Sequence, residues 1–491
     1  MFYPSLKEFL KLSGRFNVVP VYKQINGDLD TPVSAFLKLE KNGYAFLFES
    51  VEGQEKVARF SFLGSQPELI FSSKGKNIRI NYGQGKQNCF TTKSTPFDEI
   101  ARIMRGFRAA KVKGLPRFYG GLVGYASYDM VRFIEDIPDT NPDGLDIPDC
   151  VFMLTSTLLL FDHLNHTIKI VSNAIFPDKS ADVKEKTRAY QQAVSQIEEI
   201  HARLSKPLSG LNSPSRHKIR PAVKSNFSKA EFKKTVLKCK KYIKAGDIIQ
   251  VVPSQRLTAK IGKPAFDVYR SLRSLNPSPY MFFLQLPDYA LAGASPEMLV
   301  RLEDGTVSTR PIAGTRPRGR NLTEDNRLAA ELLNDKKEKA EHLMLVDLGR
   351  NDLGRVCKAG KVSVSEFMKV EKYSHVMHLV SEVRGALDGR YDYIGVLKSC
   401  FPAGTVTGSP KIRAMEIIDE IENIRRGPYA GCVGYFSFSR NMDTCITIRT
   451  VIIKDNTAYI QAGAGIVADS VPEREYSETM NKAKAMLEAI S

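Results

Sequence analysis

The spacing of apolar residues along the chain predicts a mixture of helices and strands. Residues 178–204 read as an amphipathic helix, and 337–352 ("KEKAEHLMLVDLGRND") continue a helical period into an apolar run. Shorter runs that are rich in β-branched and aromatic residues predict strands, among them 43–53, 59–73 and 246–261 ("GDIIQVVPSQRLTAKI"). Both kinds of element therefore recur along the whole chain.

The composition of the segments between these elements predicts the domain organisation. Residues 206–226 are rich in Ser, Pro and basic residues and are interpreted as a linker. They separate an N-terminal scaffold region, 1–205, from a larger domain, 227–491. One internal similarity joins the two: "FYGGLVGYASYD" (118–129) is echoed by "PYAGCVGYFSFS" (428–439). The echo favours duplicated packing halves, although two glycine-containing strand starts would also explain it.

Composition narrows the function classes. The chain has 491 residues, 43% hydrophobic and 25% charged, as in soluble globular proteins. It contains no uninterrupted apolar run of about 18 residues and no signal-peptide pattern at its N-terminus, so we expect no membrane partner. Seven scattered cysteines without paired spacing favour free thiols in a reducing cytoplasm.

The net charge of +17 could indicate nucleic acid, anionic lipid or a small anionic substrate. Much of the excess lies in residues 215–246, which read as a linker followed by a solvated helix face. No helix-turn-helix or finger spacing is evident, so only the charge itself favours a nucleic-acid partner, and we expect none.

Two glycine-containing stretches resemble phosphate or dinucleotide motifs. "AGAGIVADS" (462–470) has the G-x-G-x-x-A spacing, but the chain ends within one helix of it, so the required βαβ unit cannot follow. A turn of backbone N–H groups that could hold an anion such as a carboxylate is the better interpretation. "AGTVTGSPK" (403–411) opens a predicted helix, and both an anion site and a structural turn remain open there.

Acid pairs are the most informative chemical feature. Glu338 and Glu341 lie three residues apart and would share one helix face, and Glu475 and Glu478 repeat this spacing near the C-terminus. If the two helices converge, four carboxylates need a cation, and oxygen-only ligands favour Mg²⁺.

Histidine offers a weaker metal signal. His375 and His378 do not have the H-E-x-x-H spacing of a zinc site, and a lone histidine in an apolar run is more often a core residue. His378 remains an acid/base candidate because the pKa of an imidazole lies near neutrality.

Taken together, these segments identify a resemblance to the chorismate-utilising enzymes, and within them to the large subunits of anthranilate synthases. The resemblance covers nearly the whole chain and is densest over 227–491. It rests on "GDIIQVVPSQR", "NPSPYMFFL", "ASPEML", "RPIAGTRPRG", "AEHLMLVDLGRNDLGRV", "HVMHLVSEVRG", "FPAGTVTGSPKIRAMEIIDEIE", "GPYAGCVGYFSF", "DTCITIRT" and "AGAGIVADSVPEREYSET", in family order. It implies an α+β fold with two packed antiparallel β-sheets flanked by helices.

The resemblance also implies roles for individual residues. Mg²⁺ would be held by Glu341 and Glu478, assisted through water by Glu338 and Glu475, and would bind the ring carboxylate of chorismate. The enolpyruvyl carboxylate and its surroundings would involve Gly314, Thr315, Tyr429, Arg449, Gly463, Ala464 and Gly465. Catalytic roles fall to His378, Thr405 and Glu297, with Glu297 helping the C4 hydroxyl to leave.

Two positions distinguish the reactions within the resembling family. Water-using members carry a lysine where this chain has Gln250, and aminodeoxychorismate synthases carry a nucleophilic lysine where it has Ala313. The resemblance therefore implies attack by ammonia at C2 and, after loss of pyruvate, anthranilate as the product. Aminodeoxychorismate synthase component I is the alternative.

The ammonia source must be a partner, because "AGCVGY" around Cys432 lacks the flanking pattern of a glutaminase nucleophile. A glutamine amidotransferase subunit is expected.

A tryptophan feedback site has counterparts in the sequence as well. The resemblance assigns it to Ser50, Pro279, Tyr280 and Met281, and Phe48 replaces a leucine that is usual in its wall. Inhibition by L-tryptophan is therefore expected.

Overall fold

A computed structural model describes residues 1–40, 43–50, 59–83, 85–176, 181–208, 221–373 and 376–491. The strands, in chain order, are β1 (Phe2–Tyr3), β2 (Val18–Asn26), β3 (Ala45–Glu49), β4 (Phe60–Ser65), β5 (Leu69–Lys74), β6 (Asn77–Asn81), β7 (Gln87–Thr91), β8 (Gly121–Ala126), β9 (Cys150–Thr155), β10 (Thr157–Asp162), β11 (Thr167–Ile175), β12 (Val223–Ser225), β13 (Gln250–Val251), β14 (Ser254–Lys260), β15 (Tyr280–Gln285), β16 (Tyr289–Ser295), β17 (Met298–Glu303), β18 (Thr306–Thr309), β19 (Ile312–Pro317), β20 (Cys357–Lys372), β21 (Val376–Leu387), β22 (Gly408–Ser409), β23 (Cys432–Ser437), β24 (Met442–Ile446), β25 (Thr450–Lys454) and β26 (Thr457–Gly463).

The helices alternate with these strands. They are α1 (Leu6–Leu12), α2 (Pro32–Leu39), α3 (Pro96–Arg105), α4 (Val183–Leu204), α5 (Lys229–Ala245), α6 (Ala265–Leu275), α7 (Leu322–Asn334), α8 (Lys336–Gly354), α9 (Tyr393–Cys400), α10 (Lys411–Ile421) and α11 (Pro472–Ala489), with 3₁₀ turns at Tyr128–Phe133 and Gly404–Val406. None of the helices in the described ranges is both long and apolar enough to cross a membrane.

Two large antiparallel sheets organise the chain. The first runs β1-β2-β11-β10-β4-β3-β15-β16-β25-β26-β14-β12, and the second runs β19-β21-β18-β17-β24-β23-β8-β9-β5-β6-β7, with β20 beside β21. A small third sheet pairs β13 with β22. Because the two large sheets pack together and helices flank them, the α+β fold expected from the sequence is confirmed.

Aromatic and aliphatic side chains fill the space between the two sheets. Phe62 of the first sheet meets Tyr435 of the second with ring centroids 6.2 Å apart, and both belong to one buried cluster with Phe46 and Leu122. The opposite face of the first sheet is covered by α1, α2, α4, α6 and α11 through a second cluster. Burying each such side chain stabilises the fold by roughly 1.5–3 kcal/mol.

Both large sheets take strands from each side of the predicted linker. In the first sheet β3 pairs with β15, and in the second β8 pairs with β23. The linker prediction, 206–226, falls partly outside the described residues, since 209–220 are not described, while β12 within it pairs with β14. The division at 205 and 227 stays a prediction.

The internal echo has a structural counterpart. Its two segments form β8 and β23, which pair with each other and bring Gly124 opposite Gly434. After β8 the chain forms β9 in the same sheet and then the hairpin β10–β11 in the first sheet. After β23 it likewise forms β24 in the same sheet and then the hairpin β25–β26 in the first sheet. The two halves thus repeat one strand order, which is what the hypothesis of duplicated packing halves requires.

The glycines on these central strands admit close backbone approach. A Cβ atom on Gly124 would lie 1.8 Å from Val151 O. Because this oxygen belongs to the backbone of the neighbouring strand, it cannot move away without disturbing the sheet. We therefore expect Gly124→Ala to lower the free energy of unfolding by about 1–3 kcal/mol or more, measured by denaturant titration. Gly354→Ala is the matched control, because no described atom lies within 4 Å of its Cβ position. Equal midpoints for Gly124→Ala and wild type would contradict this account.

Candidate active site

The chain changes sheets at two adjacent corners, and each corner carries one charged residue. Glu297 lies between β16 of the first sheet and β17 of the second, and Arg449 lies between β24 of the second and β25 of the first. Backbone hydrogen bonds tie the corners together: Ile446 N donates to Glu297 O and Ala294 N to Arg449 O, both at 3.1 Å. Arg449 has a left-handed backbone (φ 53°), a strained conformation of the kind that clusters at functional sites.

A cavity of about 580 Å³ opens at these corners. Helices α8 and α11 line it with side chains spaced by three and four residues, so each helix presents one face. Its predicted site residues are Glu297, Gly314, Thr315, Glu338, Glu341, His378, Thr405, Tyr429, Arg449, Gly463, Gly465, Glu475 and Glu478. Thus segments that are more than a hundred residues apart in sequence meet at one site.

The part of the cavity wall around Arg449 is suited to an anion. The Arg449 guanidinium donates from Nη1 to Lys482 O at 3.0 Å, and it forms no ion pair with any described carboxylate. Burial lowers its pKa, partly opposed by Tyr429 and Glu478, but a guanidinium stays charged in proteins. The Tyr429 hydroxyl lies 2.8 Å from where a Cβ on Gly463 would be, so only glycine keeps this wall open.

Glu297 is the acid of the site. Its carboxyl lines the cavity, and burial raises its pKa to about 8, partly offset by the Thr405 hydroxyl and the Lys482 charge. Glu297 is therefore protonated at neutral pH and can donate a proton. Thr405 Oγ1 is buried near the Glu297 carboxyl, but it makes no hydrogen bond of full geometry to any described residue, so it can serve a ligand atom.

His378 is held as a neutral base or proton carrier. Its Nδ1 lies 2.9 Å from Gly314 O and 3.1 Å from Thr315 Oγ1. A carbonyl oxygen can only accept, so Nδ1 carries the hydrogen and Nε2 is left as the acceptor of the neutral ring. Burial lowers the pKa of His378. The hydrogen bond to Gly314 O partly opposes this shift, and the charge of Arg449 adds to it.

The part of the cavity wall formed by α8 and α11 is acidic. Glu338 and Glu341 reach it from α8, whose N-terminus is capped by Asp335, and Glu475 and Glu478 reach it from α11. Burial raises the pKa of Glu341, and the charges of Glu338, Glu478 and Glu475 raise it further, while Lys337 opposes the shift. These carboxylates are therefore close enough to repel one another.

The four glutamates of α8 and α11 offer the oxygen ligands that a hard divalent cation prefers. Oxygen ligands from a few carboxylates are what Mg²⁺ takes in proteins. Lys337 approaches Glu341 at 3.8 Å and Lys482 approaches Glu478 at 2.7 Å. Among the described residues, no three His, Cys, Asp or Glu side chains stand close enough together to hold a metal ion as they are arranged here.

A second cavity of about 430 Å³ lies beside β3, β15 and β24. Its walls include Phe48, Phe60 and Phe62, and it contains every residue predicted for the tryptophan site: Ser50, Pro279, Tyr280 and Met281. The Tyr280 hydroxyl donates to Asp443 at 3.0 Å and accepts from Arg301 at 3.1 Å. Ser50 Oγ is buried without a hydrogen-bond partner in the described part of the chain.

Comparison with known proteins agrees with this geometry. The sequence model of the family described as chorismate binding enzyme matches residues 43–488. The anthranilate synthase component 1 of Acetivibrio thermocellus is 48% identical over 495 residues, covering 100% of this chain and 99% of the relative. The chain belongs to the chorismate binding enzymes, in their anthranilate synthase component 1 branch.

Solved structures of chorismate binding enzymes extend the comparison. Anthranilate synthase component I from Streptococcus pneumoniae superposes with a TM-score of 0.76 at 36% identity, covering 94% of this chain and 98% of that one. The menaquinone-specific isochorismate synthase MenF of Escherichia coli gives a TM-score of 0.70 at 20% identity, covering 99% of each chain. That second likeness shows the shared fold alone.

One predicted site residue of this family member does not line the cavity. Ala464 is fully buried, and its N–H donates to Pro253 O at 3.1 Å. Of the predicted turn, Gly463 and Gly465 reach the cavity and Ala464 packs behind them. His375, weighed above as a metal ligand, lies outside the described residues.

Two residues at the site had no predicted binding role. Lys482 lines the cavity, pairs with Glu478 and donates to Gly463 O at 3.0 Å. Its spacing four residues after Glu478 was the available signal, since such pairs meet on one helix face. Gln250 also lines the cavity, and its buried Oε1 finds no hydrogen-bond partner among the described residues.

The raised pKa of Glu297 gives a direct prediction. Below pH about 8 the carboxyl is protonated and above it the carboxylate forms, so we expect one glutamate to titrate near 8. Carboxyl-carbon NMR of protein with labelled glutamate would follow it, and Glu297→Gln should remove that one signal. Titration of every glutamate below pH 6 would contradict the assignment.

Proposed function

We propose that the protein is an anthranilate synthase component I that converts chorismate and ammonia to anthranilate, pyruvate and water, the first committed step toward tryptophan. One observation carries the proposal: the same cavity is lined by an arginine without a carboxylate partner among the described residues and by a cluster of four glutamates. Chorismate carries two carboxylates, one on its ring and one on its enolpyruvyl group, and so needs positive charge at two places.

Arg449 and the four glutamates would bind the two carboxylates of chorismate in different ways. Arg449, with Tyr429 and the backbone at Gly463 and Gly465, would bind the enolpyruvyl carboxylate, because a planar guanidinium can make two parallel bonds to it. Mg²⁺ would be held by Glu341 and Glu478, with Glu338 and Glu475 acting through water. When bound, this ion would supply the positive charge that the ring carboxylate needs in an acidic surrounding.

Acid and base roles follow from the protonation states. Glu297 would give its proton to the C4 hydroxyl, which leaves as water when ammonia adds at C2. The proton that ammonia gives up after adding at C2 would return to Glu297. His378, neutral and with Nε2 as its acceptor, would take the C2 proton as the C3–O bond to the enolpyruvyl group breaks. The same proton would then go to the methylene carbon of the released enolpyruvate, which becomes pyruvate. Thr405, beside Glu297, would bind the departing hydroxyl through the Oγ1 that has no described partner.

Ammonia would come from a partner. The relatives are named component 1, and in this proposal the other component is a glutamine amidotransferase subunit. Six of the cysteines are buried and Cys89 is exposed on β7, and none of the seven lines the active-site cavity. We further propose that L-tryptophan binds the second cavity, where Ser50 Oγ would meet its charged backbone groups and Phe48 and Met281 its ring.

The reaction is tested with chorismate, Mg²⁺ and ammonium, using anthranilate fluorescence as the measurement. We expect anthranilate from wild type with ammonium and none with glutamine alone. Glu341→Gln should reduce turnover by a factor on the order of 10³ or more, because it removes one charged ligand of the proposed ion. Asp347→Asn on the same helix, an exposed residue paired with Arg350, is the matched control and should keep wild-type turnover.

Two outcomes would overturn parts of this proposal. Aminodeoxychorismate as the only product would replace the reaction with that of the folate-type alternative. Wild-type turnover and unchanged Mg²⁺ dependence in Glu341→Gln would refute the metal assignment while leaving the reaction intact.

Inhibition is tested separately by titrating L-tryptophan into the same assay. Loss of one hydrogen bond to a charged group is worth about 1.5–3 kcal/mol, so Ser50→Ala should raise the half-inhibitory concentration roughly 10-fold or more. Ser205→Ala, at the exposed end of α4, is the control. If tryptophan neither inhibits wild type nor binds to it by calorimetry, the second cavity is not its site.

A further inference from the structure

Arg426 is a charged side chain buried where the proposed mechanism does not use it. It is 2% exposed and follows α10 by a few residues. Its partner Glu422, 5% exposed, accepts from Arg426 Nε at 3.0 Å and from Nη2 at 2.6 Å. Burying such a pair is expensive and is repaid only when the remaining donors are also satisfied.

The remaining donors of Arg426 reach two walls of the active-site cavity. Nη1 donates to Val406 O at 2.7 Å, and Nη2 donates to Val252 O at 2.6 Å. Val406 directly follows Thr405, and Val252 lies two residues after Gln250; all four residues line the cavity. One planar guanidinium therefore fixes the separation of two backbone segments that carry site residues.

The same side chain contacts a third wall. Its guanidinium carbon lies 5.5 Å from the ring centroid of Tyr429, which lines the cavity, and 4.8 Å from that of Tyr128. Cation–π contacts of this kind orient a ring as well as stabilising it. Arg426 itself does not line the cavity.

Glu422 extends the network to a fourth wall. Its Oε1 accepts from Ser254 N and Ser254 Oγ, each at 2.8 Å. Ser254 Oγ in turn accepts from Gln461 Nε2 at 2.8 Å, and Gln461 lines the cavity. The ion pair thus touches, directly or through one residue, four separate segments of the site.

We propose that Arg426, oriented by Glu422, is a positioning residue that sets the placement of Thr405, Gln250 and Tyr429 for catalysis. The proposal rests on the proposed function, since it concerns the same cavity. Lysine in place of Arg426 keeps one positive charge for Glu422 but cannot donate to both carbonyl oxygens in one plane. The loss should therefore fall on turnover more than on folding.

The test compares Arg426→Lys with Arg425→Lys. Arg425 is the adjacent arginine, pairs with Asp139 at 2.6 Å and donates to Asn141 O at 3.2 Å, and does not line the cavity. We expect Arg426→Lys to lower kcat by a factor on the order of 10², with KM for chorismate nearly unchanged because Arg449 is intact. Arg425→Lys should keep wild-type kcat.

A double-mutant cycle separates positioning from general destabilisation. If Arg426 acts through the Thr405 segment, the losses in kcat of Arg426→Lys and Thr405→Ala should be clearly less than additive. Additive losses, or wild-type kcat per folded molecule in Arg426→Lys, would overturn the proposal. Glu422→Gln is the second variant if Arg426→Lys does not fold, and it should show a smaller loss in kcat of the same kind.

Hydrogen exchange makes the test independent of activity. Arg426→Lys should speed amide exchange in residues 402–408 and 250–254 but not in the distant strands β5 and β6. Unchanged exchange in those two segments would overturn the proposal even if wild type proved inactive on chorismate. Failure of the proposed function would appear instead as no anthranilate from wild type with the exchange difference retained.

Discussion

Mutual repulsion between carboxylates is the constraint on which the site depends. Glu338 and Glu341 come from α8, and Glu475 and Glu478 come from α11, so no local sequence preference brings the four together. Tertiary packing does it: α8 lies against β19, β20 and β21, and α11 lies against β26 and α5. The free energy that holds like charges in one cavity comes from the rest of the fold, and the proposed Mg²⁺ would return part of it on binding.

The chain passes from the first sheet to the second at a Pro-Glu corner in two places. Pro67 and Glu68 link β4 to β5 just as Pro296 and Glu297 link β16 to β17. Burial raises the pKa of Glu68 too, but the Ser156 hydroxyl donates to it and closes that corner. The Glu297 carboxyl instead faces the cavity, with the Thr405 hydroxyl beside it. The buried carboxyl at this corner is therefore structural at Glu68 and available to a substrate at Glu297.

Local patterns in the sequence predicted the elements, and long-range contacts decided what they do. The helical period over 337–352 predicted α8, observed over Lys336–Gly354, and the strand patterns predicted β3, β4 and β14. The residue roles came from the family resemblance, which rests on whole motifs. Convergence of α8 with α11 could not be read from spacing, because it depends on packing between segments well over a hundred residues apart.

Arg426 shows what such patterns cannot reveal. In "ENIRRGPY" two adjacent arginines look like solvated positions near a turn, and the structure leaves Arg425 partly exposed and buries Arg426. Only the tertiary fold brings Glu422, Val406 and Val252 around it. Ala464 is the converse case. The resemblance assigned Gly463, Ala464 and Gly465 to the site together, but the structure buries Ala464 in the core.

The nucleophile of the proposed reaction agrees with the side chains found at positions 250 and 313. Gln250 and Ala313 line it at the two positions where the family resemblance puts lysines in water-activating and covalent members, and neither side chain can remove a proton or form a bond to substrate. Lys482 also lines the cavity, but its ammonium group is engaged with Glu478 and with Gly463 O. In the proposed reaction the nucleophile is therefore one that needs no lysine to activate it. Unprotonated ammonia meets that requirement, whereas water does not.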